Sequence, residues 1–379
     1  MRKLLCALLA ACLLLPLAGC WNYRGLNEMT IVAGVAIDKS EGLYQMTFEV
    51  IDMQQSGKLT GIHSKLVFSQ GGSMLESVRN AKRQFSSKLY FGNMQIVILS
   101  QQIAEQDGLD SVLDFTLRDS EMRETMQLIV SREDTARALL MNSEAGNGAI
   151  SYDISRIIRE DAKITGATFS AQFYRIYNEL KLPGINVALP SFYLATEPGS
   201  DKKHIESFGN AVFQHDKLAG FLSAEESKYL LMIDEPISGG VLTLSVPTLT
   251  PHNITLEIKK VIPSMSYENN NGKITMKLSV SIMAYFAEFP HSLRSSDLSV
   301  LETVTKASEK MVKERLEQVI KKTQTQYQAD VLGMGCMIYR TNLPLWRQIS
   351  DQWGEIYQTL PVDVSVKVHL TNSAMTRAS

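Results

Sequence analysis

The chain opens with Met1-Arg2-Lys3, an unbroken apolar run from Leu4 to Leu15, and then Leu17-Ala18-Gly19-Cys20. Two positive charges, a short apolar core and small residues ahead of a cut site make a secretory signal peptide spanning residues 1–19. Taken instead as an uncleaved membrane helix, twelve apolar residues at ~1.5 Å each reach only ~18 Å, against a hydrocarbon core of about 30 Å. The part that must fold is therefore expected to begin at Cys20 and to lie outside the cytoplasm. Beyond Cys20 no apolar run approaches the ~18 residues needed to cross a bilayer.

The Leu-Ala-Gly-Cys ending resembles a bacterial lipobox. That resemblance implies that the Cys20 thiol takes an S-diacylglyceryl group and its freed amine an acyl chain such as palmitate, making Cys20 the lipid attachment site. Cys6 and Cys12 then leave with the leader and Cys20 is locked in a thioether, so only Cys336 keeps a thiol. No intramolecular disulfide can form, even in a compartment that permits one, and stability must come from packing. The leader carries Arg2 and Lys3 and no acid, so its loss moves the formal charge from -2 to -4 on the 360 residues that remain. That mild acidity argues against a nucleic-acid partner, whose binder normally shows a basic excess. The length predicts two or three domains.

Along the chain, apolar runs alternate with amphipathic stretches. Ile31 to Asp38 reads as a buried strand with Leu43–Asp52 as its hairpin partner, and Leu66–Ser69 as a third strand. Ser73-Met74-Leu75-Glu76 is a capping-box pattern opening a helix with Leu75, Val78, Lys82 and Phe85 at helical spacing. Strand 94–100, helix 109–118, strand 126–131 and helix 135–141 follow, and this alternation predicts helices packed on a sheet. Two more helices are expected at Ser151–Ile164 and Phe169–Leu180. The polar stretch from Glu197 to Lys203 has the composition of a linker and suggests a domain boundary.

Beyond it, Phe208–Ser223 reads as a tight hairpin turning at His215-Asp216-Lys217, followed by a short helix from Glu225 to Leu231. Long strands are then expected on either side of Asn269-Asn270-Asn271-Gly272, whose Asn-Gly pair accepts positive φ. A long helix is expected from about Ser296 to Gln326, and a second from Pro344 with Trp346, Ile349, Trp353, Ile356 and Leu360 on one apolar stripe. Val362, Val364, Val366, Val368 and Leu370 then alternate with polar residues, the pattern of a strand buried on one side in an antiparallel or mixed sheet. The expected fold class is α/β (α+β): a three-domain extracytoplasmic lipoprotein with mixed sheets and packed helices. Its parts are an N-terminal α/β domain (20–196), a small central hairpin and helix module (204–250) and a C-terminal domain (251–379).

Catalytic constellations are missing from the sequence: no phosphate-binding Gly-rich loop, His-Glu-x-x-His, Gly-x-Ser-x-Gly or Cys-x-x-Cys occurs. Gly333-Met334-Gly335 lacks the third glycine of a dinucleotide fingerprint and reads as a flexible joint. The six histidines are scattered singly, without metal-ligand spacing, so no metal, cofactor or catalytic residue is assigned. His215 beside Asp216 reads as a water-facing turn, Cys336 as a buried inert thiol, and Trp346 and Trp353 as core. Trp21 admits two roles, an indole in the headgroup region or packing on the first strand.

Taken in order, several stretches are similar to one family. They are Gly19-Cys20-Trp21-Asn22 with Val32–Lys39, then Leu89-Tyr90-Phe91-Gly92, then Arg118-Asp119-Ser120-Glu121. Phe208–Phe213 with Lys217–Leu222, and the run from Pro344-Leu345-Trp346 through Trp353 to the alternating valines, complete the set. Together they resemble the Ger(x)C family, the lipoprotein C subunits of nutrient germinant receptors in endospore-forming bacteria. Asn93 stands where a histidine is expected, and a glycine expected after the last strand is missing. The resemblance implies a non-enzymatic, lipid-anchored C subunit on the outer face of the spore's inner membrane, partnered by a multi-spanning A subunit and a transporter-like B subunit. It carries no ligand-binding residue onto this chain and does not fix an oligomeric state. The alternative from another class is an extracytoplasmic solute-binding lipoprotein of a transporter, which needs two lobes around a ligand cleft.

Overall fold

The computed structural model describes Arg2 and residues 29–52, 63–118, 122–141, 148–164, 166–169, 171–234, 237, 239–270, 272–290 and 297–371. The rest of the leader, Cys20, Trp21, Asp119-Ser120-Glu121, Asn271, His291 and the tail beyond Thr371 lie outside the described residues.

The first sheet grows from β1 (Met29–Ser40), whose run from Ala33 to Lys39 is apolar up to Asp38, and which folds back antiparallel onto β2 (Leu43–Ile51). β3 (Ser64–Gly71) adds an antiparallel edge. α1 (Met74–Lys82) starts where expected: the Ser73 side chain accepts from Glu76 N at 3.1 Å, and Glu76 reaches back to Gly72 N at 2.9 Å. Its buried stripe is Met74, Val78 and Ala81, so Leu75, expected on that side, is exposed about a quarter turn away.

β4 (Lys88–Tyr90) and β5 (Ile96–Leu99) both run parallel to β1, and α2 (Gly108–Leu117), β6 (Gln127–Ser131), α3 (Arg137–Met141), α4 (Ile150–Ile164) and α5 (Phe173–Lys181) continue the alternation. α5 is shorter than expected, with Phe169 ahead of it and Tyr177 exposed. β7 (Ala188–Thr196), β8 (Lys203–Gln214) and β9 (Lys217–Ser223) complete a nine-stranded mixed sheet in the order β3-β2-β1-β5-β6-β7-β8-β9, with β4 beside β1.

This order corrects the expected division of the chain. Glu197–Lys203 is not a linker between sheets; it is the turn joining β7 to β8, which pair antiparallel from Ala188↔Val212 to Thr196↔Lys203. A polar, Pro-Gly-bearing stretch satisfies a hairpin turn and a linker alike, and composition cannot tell them apart. The segment 204–250 accordingly has no sheet of its own. β8 and β9 extend the first sheet, whereas α6 (Ala224–Asp234) and β10 (Val241–Ser245) join the core of the second.

That second sheet runs β10-β11-β12-β13, from β11 (Asn253–Asn270), β12 (Lys273–Glu288) and β13 (Val362–Thr371), with only the β12-β13 pair parallel. α7 (Leu298–Lys322), α8 (Met334–Thr341), α9 (Leu343–Ile349) and α10 (Trp353–Thr359) form the crossover between β12 and β13. The helix expected from Pro344 to Leu360 is broken by a 3-10 turn at Ser350–Gln352, so its aromatics serve two short helices rather than one stripe. Trp346 and Trp353 are nonetheless core, each 7% exposed, with ring centroids 5.7 Å apart.

Candidate functional site

Three buried acids hold the architecture at points where apolar packing alone leaves donors unpaired. Asp38, at the end of β1, accepts from Ala136 N at 2.6 Å and Arg137 N at 3.0 Å and so caps α3. Burial pushes its carboxyl up, against the pull of those two N–H groups. Glu49 in β2, 1% exposed, accepts from Ile150 N and Ser151 N at 2.8 Å each, from Ser151 Oγ at 2.5 Å and from Ser64 Oγ at 2.8 Å. It thereby holds the N-terminus of α4 against the sheet.

The third acid, Asp330, sits where the two sheets meet. Its carboxylate is 2% exposed and accepts from Gly335 N at 2.8 Å, Met334 N at 3.1 Å and Trp353 Nε1 at 3.2 Å, capping α8 and tying it to α10. Burial raises its pKa to about 6, with the same three donors pulling the other way. Its backbone completes a staple to the segment after α5: Asn186 N donates to Asp330 O at 2.8 Å, and Asp330 N donates to Asn186 Oδ1 at 2.9 Å. Cys336 N donates to Gly184 O at 2.8 Å close by.

Gly333-Met334-Gly335 is therefore no flexible joint. Gly333 takes a left-handed φ of 67° to start α8, and a Cβ on Gly335 would come within 2.6 Å of the Trp353 indole and 2.8 Å of Gly184 Cα. Cys336 is buried as expected, and burial pushes its thiol up. Further along the seam, Arg175 of α5 reaches Glu179 at 2.6 Å and Asp234 of α6 at 2.9 Å. Burial opposes its charge, but the two carboxylates outweigh that and hold its pKa above the ordinary value. Lys322 at the end of α7 reaches Glu226 of α6 at 2.7 Å.

Beside this staple lies a cleft of about 760 Å³. One wall comes from Leu182–Asn186 and the β8-β9 turn, the other from Ser350–Gln358 with Gln328. The turn His215-Asp216 forms as expected, with His215 at φ 56°, but it faces the cleft, and Asp216 pairs with Lys217 at 3.5 Å. Among the described residues, no group of three or more His, Cys, Asp or Glu is placed to hold a metal ion. No helix among the described residues is long and apolar enough to cross a membrane.

Two family profiles match the chain in order: "Spore germination protein N-terminal domain" over residues 22–193 and "Spore germination B3/GerAC like, C-terminal" over 208–374. The chain belongs to the Ger(x)C family. The profiles divide it inside the β7-β8 hairpin, although the sheet continues through that point. Among curated relatives, Spore germination protein KC of Bacillus subtilis is 26% identical, covering 99% of this chain and 97% of its own. Spore germination protein B3 of the same organism is 25% identical, covering 94% and 95%. The crystal structure of the GerBC protein matches the fold with a TM-score of 0.58 at 21% identity, over 89% of this chain and 97% of that one. The Ger(x)C assignment and the mixed α+β architecture thus agree.

Proposed function

We propose that the chain is the lipid-anchored C subunit of a spore germinant receptor, a non-catalytic scaffold on the outer face of the spore's inner membrane that supports nutrient-triggered germination. The observation that carries this reading is full-length alignment with spore germination proteins, through two profiles in the family's order. The leader ending in Leu17-Ala18-Gly19-Cys20 supports the anchor. One acyl chain binds a membrane marginally, whereas two, at ~0.8 kcal/mol per buried methylene, hold it essentially permanently. Anchoring confines the search for the A and B membrane subunits to one surface and raises the effective concentration beside them. The stapled seam between the two sheets suits a body that holds partners in fixed relation.

The test is Cys20→Ala. The variant should leave the membrane fraction and lose nutrient-triggered germination while non-nutrient triggers still work. Normal nutrient responses from a demonstrably soluble form would refute the tether. The solute-binding alternative has one feature in its favour, the cleft between the two sheets. Against it stands the second half, built from long antiparallel strands rather than repeated β-α units.

A further inference from the structure

We propose that the end of the first sheet around the start of β1, formed with β3, α1 and β4, lies against an anionic phospholipid surface. The proposal rests on the reading of Cys20 as the lipid attachment site. Residues 53–104 carry Lys58, Lys65, Arg79, Lys82, Arg83 and Lys88 against a single acid, Glu76, a net of +5. Residues 20–379 together carry -4, so the remainder of that chain carries -9. Such segregation gives the body an electrical polarity that its mild total charge hides. The fold then gathers the cations. Lys88 in β4 stands opposite Met29 at the start of β1, and the hydroxyls of Thr30 and Ser87 are hydrogen-bonded beside it. Lys65 in β3 stands opposite Val50, itself opposite Val32 of β1, so it lies at the same end two strands away, about 10 Å. Lys82 and Arg83 close α1, shortly before Lys88.

Lys65, Arg79, Lys82 and Arg83 are all exposed and have no ion-pair partner among the described residues. A helix dipole is complemented by cations in its last turn, which accounts for those of α1. It leaves Lys65 and Lys88, on strands, without a reason, and Leu75 as well, 48% exposed on the same α1 face as Arg79 and Lys82. An apolar side chain among cations matches the boundary between headgroups and acyl chains. The position of the chain start favours a membrane over an acidic protein. Nine residue steps lead from Cys20 to Met29, at most about 30 Å, so a lipid on Cys20 keeps this end of the sheet within that distance of the bilayer. Charge attraction reaches only ~10 Å at 0.1 M salt. The tether therefore brings the cations into range, and their attraction to anionic headgroups sets which side of the body faces the membrane.

The experiment reconstitutes the full lipid-bearing chain in phosphatidylcholine vesicles with or without phosphatidylglycerol, each holding a trace of lipid with a nitroxide on its headgroup. A dye on Ser86→Cys reports this end, and one on Ser264→Cys, on the uncovered face of β11, is the control; Cys336 is buried. The expected result is roughly twofold stronger quenching of the Ser86 dye when phosphatidylglycerol is present, with the Ser264 dye unchanged. The gain should vanish near 1 M salt, where the Debye length is ~3 Å. It should also vanish in K65Q/R79Q/K82Q/R83Q, changed only at exposed positions and checked for a wild-type melting temperature; the salt and lipid arms need no variant of these charges. Equal quenching on both vesicles, a matching gain at Ser264 or a gain indifferent to salt would overturn the proposal, and the first would make the basic end a site for an acidic protein. If the chain does not float with neutral vesicles, the Cys20 reading falls and this one with it. Flotation without the gain removes this one alone.

Discussion

The two sheets solve the same problem in opposite ways. In the nine-stranded sheet, neighbours along one strand are both core: Ile98 and Leu99 of β5 are each fully buried, Ile98 against Leu139 and Ile154 on one face and Leu99 among the residues of α1, α2 and α5 on the other. In the four-stranded sheet only one face is covered. Along β13, Val364 and Val368 are buried while Asp363, Lys367 and His369 are exposed. Central strands of the first sheet, with helices packed on both faces, become continuous apolar runs, whereas the long antiparallel hairpin β11-β12 and the parallel β13 beside it are packed by helices from one side and keep one wet face and a period of two. The central strands β1, β5 and β6 have no face to offer a partner, so recognition on that half falls to helices, loops and the outer strands β3, β8 and β9. The other half presents a broad polar sheet face.

The sharpest way to break this comparison is to place a charge on each side of β5. Ile98→Lys and Leu99→Lys should both abolish soluble folded protein, since an unpaired charge in either core costs more than about 4 kcal/mol. Expression with circular dichroism checks it. Tolerance of either one would mean that a face called core is open.

Next in size is Glu49→Ala. The substitution removes the acceptor from two backbone N–H groups and two hydroxyls; the hydroxyls can rotate to other acceptors, while each backbone N–H left unpaired costs about 1–3 kcal/mol, so the loss in a urea titration should be about 2–6 kcal/mol. The same change at Glu257, exposed in β11, should cost under about 0.5 kcal/mol. Equal losses at the two sites would erase the difference between the sheets.

How much of this was legible follows from where each strand lies. The one-sided strands were readable from the alternation at Val362–Leu370 and from the Asn-Gly turn, where Gly272 N donates to Asn269 Oδ1 at 2.9 Å. The capping box at Ser73 was readable because its chemistry is local. The buried acids were missed, although a signal existed: Asp38 and Glu49 each interrupt an apolar run in a strand, where an acid must find donors elsewhere in the chain. Asp330 carried a weaker signal, an acid a few residues ahead of a helix start. The continuity of the first sheet through Glu197–Lys203 was not readable at all, because pairing of β8 with β7 is a register fact that no local composition carries. The close approach of Gly335 to Trp353 and Gly184 depends on three separate segments meeting and is equally silent in sequence.

Asp330 sharpens the comparison at the seam through pH. A carboxyl at about 6 in the fold and ~3.9 in the unfolded chain binds its proton more tightly when folded. Its contribution is therefore full below about pH 4, is lost as pH rises through about 6, and is flat above; two units of difference amount to about 3 kcal/mol. Asp330→Asn, which cannot ionise, should flatten the fall in urea midpoint between pH 4 and 7, leaving a slope of the same sign from Asp38 and one of the opposite sign near pH 4 from Glu226, which Lys322 holds below its ordinary value against burial. An unchanged slope would mean that Asp330 titrates alike in both states.

The smallest effect is the most telling about the open sheet. Lys367→Ala and His369→Ala lie on the uncovered face, opposite Ser281 and Met283 of β12, and should each change stability of the isolated chain by less than about 0.5 kcal/mol. Gly335→Ala, at the closed seam, should cost about 1–3 kcal/mol by overpacking against Trp353 under the same conditions. If the two exposed substitutions are silent in the isolated chain yet impair germination in spores, the wet face meets a partner there. If they destabilise the isolated chain by as much as the seam substitution does, something in the chain itself covers that face, and the sheet is closed on both sides like its neighbour.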